Sequence, residues 1–203
     1  MEGEPEPAVT KDLALIVIDS DRGLGNACVF PAGPLRAPLK PQLARTDALI
    51  VIGAGHASDV VASAVAAAGK PVLSAHLSPE PGIVAALRGK PVLAFAGIGD
   101  PQRFFRTLRA GGLTVARERA FADHHPFAPG EIAAMVTEAE RDGLTLVTTE
   151  KDLARLRNME GPPIVHPIVP FPVTLHFGDT ATMLSLLTER LFKARDKQFS
   201  RDQ

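Results

Sequence analysis

The chain has 203 residues, a hydrophobic fraction of 45% and a formal net charge of -1. That length and apolar content suffice for a large domain with a buried core, and the near-neutral charge argues against a nucleic-acid partner. The single cysteine, Cys28, rules out an internal disulfide framework, and no apolar run reaches the ~20 residues that span a bilayer. We therefore expect a cytoplasmic globular protein.

Six short aliphatic runs alternate with helical stretches along the chain. They are LALIVID (13–19), ALIVIG (48–53), PVLSAHL (71–77), PVLAFAG (91–97), TVARERAF (114–121) and TLVTT (145–149). Nearly continuous apolar strands are typical of a parallel sheet whose two faces are both covered by helices. The sequence therefore predicts an α/β fold, a three-layer α/β/α sandwich with a mainly parallel sheet.

Several helices have recognisable ends in the sequence. Asp100-Pro101 supplies an N-cap followed by a proline in the first turn, and Gly111-Gly112 predicts the end of the same helix. Pro129 predicts the start of a second helix that runs to Gly143, and Thr149 begins a capping-box pattern for a third.

The composition also predicts how the chain is divided. We expect a first segment over 1–77 with a long Gly/Pro loop, a linker over 78–90, an α/β lobe over 91–178, and a helix with a charged tail over 179–203. The connection over 20–46 is rich in Gly, Pro and Arg, and a loop of that length is usually functional or mobile.

The triplet Asp123-His124-His125 is the main catalytic candidate, because it follows a predicted strand and ligands gather at the carboxyl ends of parallel strands. A carboxylate beside an imidazole can hold one tautomer, and the pair can act as a general base. The alternative is an N-cap aspartate with two surface histidines. A metal site is not predicted, since adjacent histidines rarely reach one ion.

Two further groups of residues could contact phosphate. The turn containing Gly97, Gly99 and Asp100 precedes a helix N-terminus, which can receive an anion such as a cofactor phosphate. A tight connection with a capped helix is the favoured alternative from these residues alone. Arg22 and Arg36 lie in the long loop and can bind phosphate in a bidentate manner, or else be solvated loop residues.

In chain order, six segments resemble the C-terminal part of the tetraacyldisaccharide 4'-kinase (lipid A 4'-kinase) family. They are KDLALIVID, RGLGN (22–26), PAGPLR (31–36), AFAGIGDPQRFF, FADHHPF and TTEKDLARL (148–156), with family order and spacing over about 150 residues. Six ordered segments are more specific than any one of them, and they favour the site interpretation of Asp123 and His124.

The resemblance implies a partial P-loop kinase fold, in which residues 1–77 would be a remnant of the nucleotide-binding core. It further implies ATP and Mg as cofactors and a lipid A disaccharide precursor as acceptor. It places His124 toward the nucleotide and matches Arg36 to an arginine of the Pro-Ala-Gly loop. It also implies a place at the cytoplasmic face of the inner membrane, with any peripheral membrane contact made by the family's N-terminal lobe.

The sequence departs from the family pattern where phosphate would be held. Both Gly-Lys pairs, Gly69-Lys70 and Gly89-Lys90, precede proline instead of Ser or Thr, so neither is a phosphate-binding loop. Met1-Glu2-Gly3 stands where the family has Asp-Asp-Gly, and Ala37 replaces a glutamate. We expect no phosphorylation by this chain alone. It is either a kinase portion that needs an N-terminal lobe supplied in cis or in trans, or a catalytically dead α/β binding or scaffold module. An unrelated α/β transferase is the least favoured alternative.

Overall fold

The computed structural model describes residues 11–158 and 166–199. The chain divides into two compact units. The first combines Met1–Leu77 with Leu175–Gln203, and the second is Ser78–Thr174. The Met1-Glu2-Gly3 segment and the end of the charged tail lie outside the described residues.

Strands and helices alternate along the chain. The strands are β1 (Leu15–Asp19), β2 (Ala48–Ile52), β3 (Val72–Pro79), β4 (Pro91–Ala96), β5 (Thr114–Ala120), β6 (Thr145–Thr148), β7 (Ile168–Pro170) and β8 (Val173–Phe177). The helices are α1 (Leu39–Arg45), α2 (Asp59–Ala67), α3 (Pro81–Leu87), α4 (Pro101–Ala110), α5 (Pro129–Asp142), α6 (Glu150–Arg157) and α7 (Thr180–Phe199). All six predicted strands are present.

The strands form two four-stranded sheets, with orders β1-β2-β3-β8 and β5-β4-β6-β7. In the first sheet the β1–β2 and β2–β3 pairs are parallel, and every pair of the second sheet is parallel. The predicted parallel α/β fold is confirmed, but the single sheet becomes two. The reason is that β8 pairs on the free side of β3, so β4 does not continue that sheet.

The second unit has helices on both faces of β4. Leu93 and Phe95 pack with residues of α5 and α6, and Met135 is buried in that cluster. Val92 and the alanines of β4 face the opposite side, where Phe105 of α4 belongs to a second buried cluster. Because alternate side chains of a strand point to opposite faces, this arrangement makes three layers with β4 at the centre.

The first unit repeats the arrangement on a smaller scale. Leu49 of β2 packs with Val61 and Val65 of α2, and residues of α1 cover the edge of this cluster. On the other face, Ile50 packs with Leu73 and with Met183 of α7. The sheet is therefore covered on both faces, as its apolar strands predict.

The predicted helix ends are confirmed. The side chain of Asp100 accepts a hydrogen bond from the backbone N–H of Arg103 at 3.0 Å, and α5 ends at Gly143, whose φ of 64° is left-handed. The segment 78–90, expected as a linker, holds the end of β3 and all of α3. Its Leu87 is buried in the core of the second unit. No helix in the described part of the chain is long and apolar enough to cross a membrane.

Candidate functional site

The candidate site lies in the second unit, where three neighbouring strands end. The parallel register pairs Ala96 of β4 with Ala120 of β5, and Phe95 with Thr148 of β6. The segments that follow these strands therefore begin side by side. They are the Gly97 turn, the Asp-His-His loop and the start of α6, and ligands bind at such an edge in α/β proteins.

Asp152 joins two of these segments from a fully buried position in the first turn of α6. Its Oδ2 accepts hydrogen bonds from the Gly97 N–H at 3.0 Å and from the Thr149 hydroxyl at 2.8 Å. The Thr149 hydroxyl in turn accepts from the Asp152 N–H and caps the helix. A buried carboxylate is stable only when it is paired and hydrogen-bonded, and these contacts satisfy one of its two oxygens.

Arg155 satisfies the other oxygen and extends the network to the histidine loop. Its Nη1 donates to Asp152 Oδ1 at 2.8 Å and to the Gly97 carbonyl at 2.7 Å. Its Nη2 lies 3.1 Å from Nδ1 of His124. Since Asp152 and Arg155 are three residues apart on α6, they share one face of the helix.

His124 has a left-handed backbone conformation, with a φ of 60°. Its N–H donates to the Gly97 carbonyl at 3.1 Å, and the His125 N–H closes a turn by donating to Ala122 at 3.1 Å. A positive φ is uncommon for a residue other than glycine and is found where the surrounding structure holds it. The loop is therefore fastened to the β4 edge, while 69% of the His124 side chain is exposed.

Asp123 does not form the hydrogen-bonded pair with His124 that the sequence led us to expect. Its Oδ2 lies 3.8 Å from Nε2 of His124, which is longer than a hydrogen bond, and its side chain is 49% exposed. The group that reaches the imidazole is the Arg155 guanidinium instead. Whether Asp123 and His124 act on a substrate stays a prediction.

His125 has different surroundings from His124. Its ring stacks on Phe121 with centroids 4.8 Å apart and contacts Phe127 edge to face. Its Nε2 lies 2.9 Å from Oε2 of Glu131. The backbone N–H of Ala128 and the His125 ring both hydrogen-bond this carboxylate, and they lower the pKa of Glu131 below its usual range. His125 therefore packs the loop against α5.

The turn over Gly97, Gly99 and Asp100 is predicted from the sequence to bind a cofactor phosphate, and that role stays a prediction. At Gly97 both backbone polar groups are already hydrogen-bonded. The Gly97 N–H donates to Asp152, and its carbonyl accepts from both His124 and Arg155. The Asp100 carboxylate caps α4, which places a negative charge at the helix end that an anion would need. Gly97 instead allows close packing, because a Cβ there would lie 3.3 Å from the Phe127 ring.

The two predicted phosphate-contacting arginines belong to the first unit. The Arg22 N–H donates to Oδ1 of Asp19 at 3.2 Å in the turn after β1, and its side chain is exposed. Arg36 is also exposed and follows Leu35, whose N–H donates to the Cys28 carbonyl at 3.1 Å. Their role toward phosphate or substrate stays a prediction.

Sequence reasoning missed Asp152 and Arg155 as members of the site. The segment TTEKDLARL holds an acid and a base three residues apart, directly after a strand. That spacing on a helix at a strand end was the available signal. Among residues 11–158 and 166–199, no three His, Cys, Asp or Glu side chains gather closely enough to hold a metal ion.

Comparison with known proteins bears on this arrangement. A family model described as tetraacyldisaccharide-1-P 4'-kinase matches residues 3–192. The chain belongs to the tetraacyldisaccharide 4'-kinase family. It corresponds to a C-terminal portion of the longer family members.

Two curated relatives illustrate the match. The tetraacyldisaccharide 4'-kinase of Bradyrhizobium sp. (strain BTAi1) is 63% identical over 97% of this chain and 57% of the relative. That of Nitrobacter hamburgensis is 61% identical over 96% of this chain and 58% of the relative. The chain thus spans a little over half the length of the curated relatives it matches.

A solved structure shares the fold of this tetraacyldisaccharide 4'-kinase family member. It is LpxK from Aquifex aeolicus in complex with ATP, with a TM-score of 0.57 and 21% sequence identity. The match covers 89% of this chain and 53% of that one. It supports the predicted relation to the P-loop kinase fold.

Proposed function

We propose that this chain forms the C-terminal part of a lipid A 4'-kinase. In that enzyme the γ-phosphate of ATP passes to the 4'-hydroxyl of a lipid A disaccharide precursor. The observation that carries the proposal is the exposed His124 imidazole, held beside the carboxyl end of β4 in a chain that belongs to this family. The proposed location is the cytoplasmic face of the inner membrane.

His124 would act as a hydrogen-bond donor to phosphate. Its Nδ1 is engaged by Arg155, which leaves Nε2 as the ring nitrogen for a ligand. A fixed donor aimed at developing negative charge is a common source of transition-state stabilisation. The 3.8 Å between Asp123 Oδ2 and His124 Nε2 argues against the general-base pair that the sequence predicted. Asp123 would then be a carboxylate beside the proposed phosphate contact.

The residues of this chain fit only part of an ATP site. In the second unit His124 can supply a donor to phosphate, whereas Arg22 and Arg36 of the first unit stay predicted phosphate or substrate contacts. A phosphate cradle needs free backbone N–H groups and a lysine, yet both Gly-Lys pairs precede proline, and the Gly97 N–H is occupied by Asp152. The cradle and the Mg ligands would therefore come from a separate N-terminal lobe.

The test joins this chain to the part of a relative that the match does not cover. The N-terminal part of the Bradyrhizobium kinase, which is 63% identical in the shared region, would be fused ahead of the chain in the relative's register. We expect the fusion to transfer labelled phosphate from ATP to a tetraacyldisaccharide 1-phosphate. The chain alone should transfer none, because phosphoryl transfer depends almost entirely on positioning and electrostatics.

The same experiment separates the two interpretations of the sequence. A folded fusion without activity, beside an active complete relative, would overturn the proposal and favour the dead binding module. Phosphate transfer by the chain alone would show that the phosphate cradle lies within these residues. It would contradict the proposal that an N-terminal lobe supplies the cradle.

A further inference from the structure

The contact between Arg155 and His124 ends a chain of hydrogen bonds that begins in the core. Asp152 is fully buried, and its Oδ2 is taken by Gly97 and Thr149. Its Oδ1 accepts from Arg155, whose side chain is only 23% exposed. With Nη1 also bonded to the Gly97 carbonyl, the guanidinium is held in one place before it reaches the imidazole.

A guanidinium carries donors only, and this decides the protonation of the ring nitrogen it contacts. An arginine does not lose its proton in proteins, so Nη2 can only donate. The Nδ1 atom of His124, 3.1 Å away, must therefore present its lone pair. In a neutral imidazole the remaining proton then lies on Nε2.

No other side chain of the loop lies within hydrogen-bond range of the His124 ring. The Asp123 carboxylate is 3.8 Å from Nε2, beyond hydrogen-bond range, and His125 is engaged with Glu131. The backbone of His124 is fixed separately by its N–H bond to Gly97. The ring orientation and the tautomer thus depend on Arg155.

We propose that Arg155 is a positioning residue that holds His124 as the Nε2–H tautomer, anchored through Asp152. It leaves Nε2–H as a donor on a side chain that is 69% exposed. A donor of this kind fits an oxyanion, and in the proposed kinase that would be a phosphoryl oxygen. This last step rests on the proposed function, whereas the tautomer and its cause belong to the chain itself.

The tautomer can be measured in the chain without any substrate. Two-bond ¹H–¹⁵N correlation spectra of protein labelled in its six histidines distinguish a nitrogen that carries a proton from one that presents a lone pair. The His124→Asn variant assigns the relevant ring. Above the pH at which the ring protonates, we expect Nδ1 to give a lone-pair resonance and Nε2 a protonated one.

Variants at position 155 then test the cause. In Arg155→Met the two nitrogen resonances of His124 should move toward one another, because both tautomers become populated. Arg155→Lys, which keeps a cationic donor, should restore part of the separation. Arg157→Gln is the matched control, since it removes an exposed guanidinium from the same helix and should leave the spectrum unchanged.

Two results would overturn the proposal. The first is a protonated Nδ1 in the wild-type chain, which needs no variant to fold. The second is an unchanged His124 spectrum in a folded Arg155→Met protein, which has no donor left at position 155. The proposed function is tested separately, because an inactive fusion with the expected wild-type tautomer would reject the kinase role and leave the positioning role standing.

If the kinase role and the positioning role both hold, the turnover of the fusion protein gives a further measurement of the Arg155–His124 contact. Arg155→Met should lower kcat by about tenfold or more, as expected for the loss of one oriented donor. Arg155→Lys should recover part of that loss. Equal kcat for the wild-type, Arg155→Met and Arg155→Lys fusions would show that the Arg155–His124 contact does not contribute to the reaction.

Discussion

Arg155 Nη2 lies 3.1 Å from His124 Nδ1, although the two residues are 31 positions apart in the chain. One is on α6 and the other in the loop after β5, and both hydrogen-bond the carbonyl of Gly97. This convergence makes the exposed histidine part of a network that reaches the core of the second unit. The network leads to predictions for stability as well as for activity.

Asp152→Asn should destabilise the second unit by about 3 kcal/mol or more, because removing one member of a buried ion pair leaves the other charge without compensation. The free energy of unfolding in urea measures the effect. Asp123→Asn is the control, since it removes a half-exposed carboxylate of the same site and should change stability by less than about 0.5 kcal/mol. Equal effects of the two variants would contradict the structural role of Asp152.

Glu131 should make the stability of the second unit depend on pH. The Ala128 N–H and the His125 ring lower its pKa, so the ionised carboxylate stabilises the folded state. That contribution is complete above the usual pKa of a glutamate and disappears as the pH falls through the lower folded-state pKa. The stability difference between wild type and Glu131→Gln should therefore be fully present above the usual pKa of a glutamate and vanish at lower pH.

Thermal unfolding between neutral and acidic pH provides the measurement. Glu150→Gln is the control, because it removes an exposed carboxylate from the first turn of another helix. A difference for Glu131→Gln that stays constant with pH would show that its carboxylate is not held by these hydrogen bonds.

Gly23→Ala should disrupt the RGLGN turn of the first unit. Gly23 has a φ of 58°, and a Cβ there would lie 2.3 Å from the backbone oxygen of Ala57. Gly69 has a similar φ of 70° with nothing within 4 Å of its Cβ position, so Gly69→Ala isolates the conformational effect of about 1 kcal/mol. Gly23→Ala should lower the free energy of unfolding by about 1 to 3 kcal/mol more than Gly69→Ala does. Indistinguishable unfolding midpoints for the two variants would contradict the close approach of Gly23 to Ala57.

His124→Asn should lower the turnover of the active fusion by about 100-fold, because it removes a donor from the proposed phosphate contact. Asparagine tolerates the left-handed backbone, so the unfolding midpoint should stay near that of wild type. Steady-state phosphate transfer measures the effect, and His76→Asn, at an exposed position of β3, is the control. Unchanged turnover would assign His124 a structural role.

The sequence determined the features that depend on near neighbours. Apolar runs predicted the six strands, and the caps at Asp100 and Thr149 predicted where α4 and α6 begin. The helix starts can be predicted from sequence because a cap is formed by residues only three or four positions apart. The ordered motifs also indicated the family, which the comparisons confirm.

Only the tertiary structure decided which side chains meet. Gly97 and Asp152 are 55 residues apart, and they come into contact because β4 and β6 are adjacent parallel strands that end at the same edge. The partner of His124 is therefore Arg155 on a third segment, and not its neighbour Asp123, whose carboxylate lies beyond hydrogen-bond range. Strand order and register are long-range properties, so the local sequence could name the histidine but not the group that orients it.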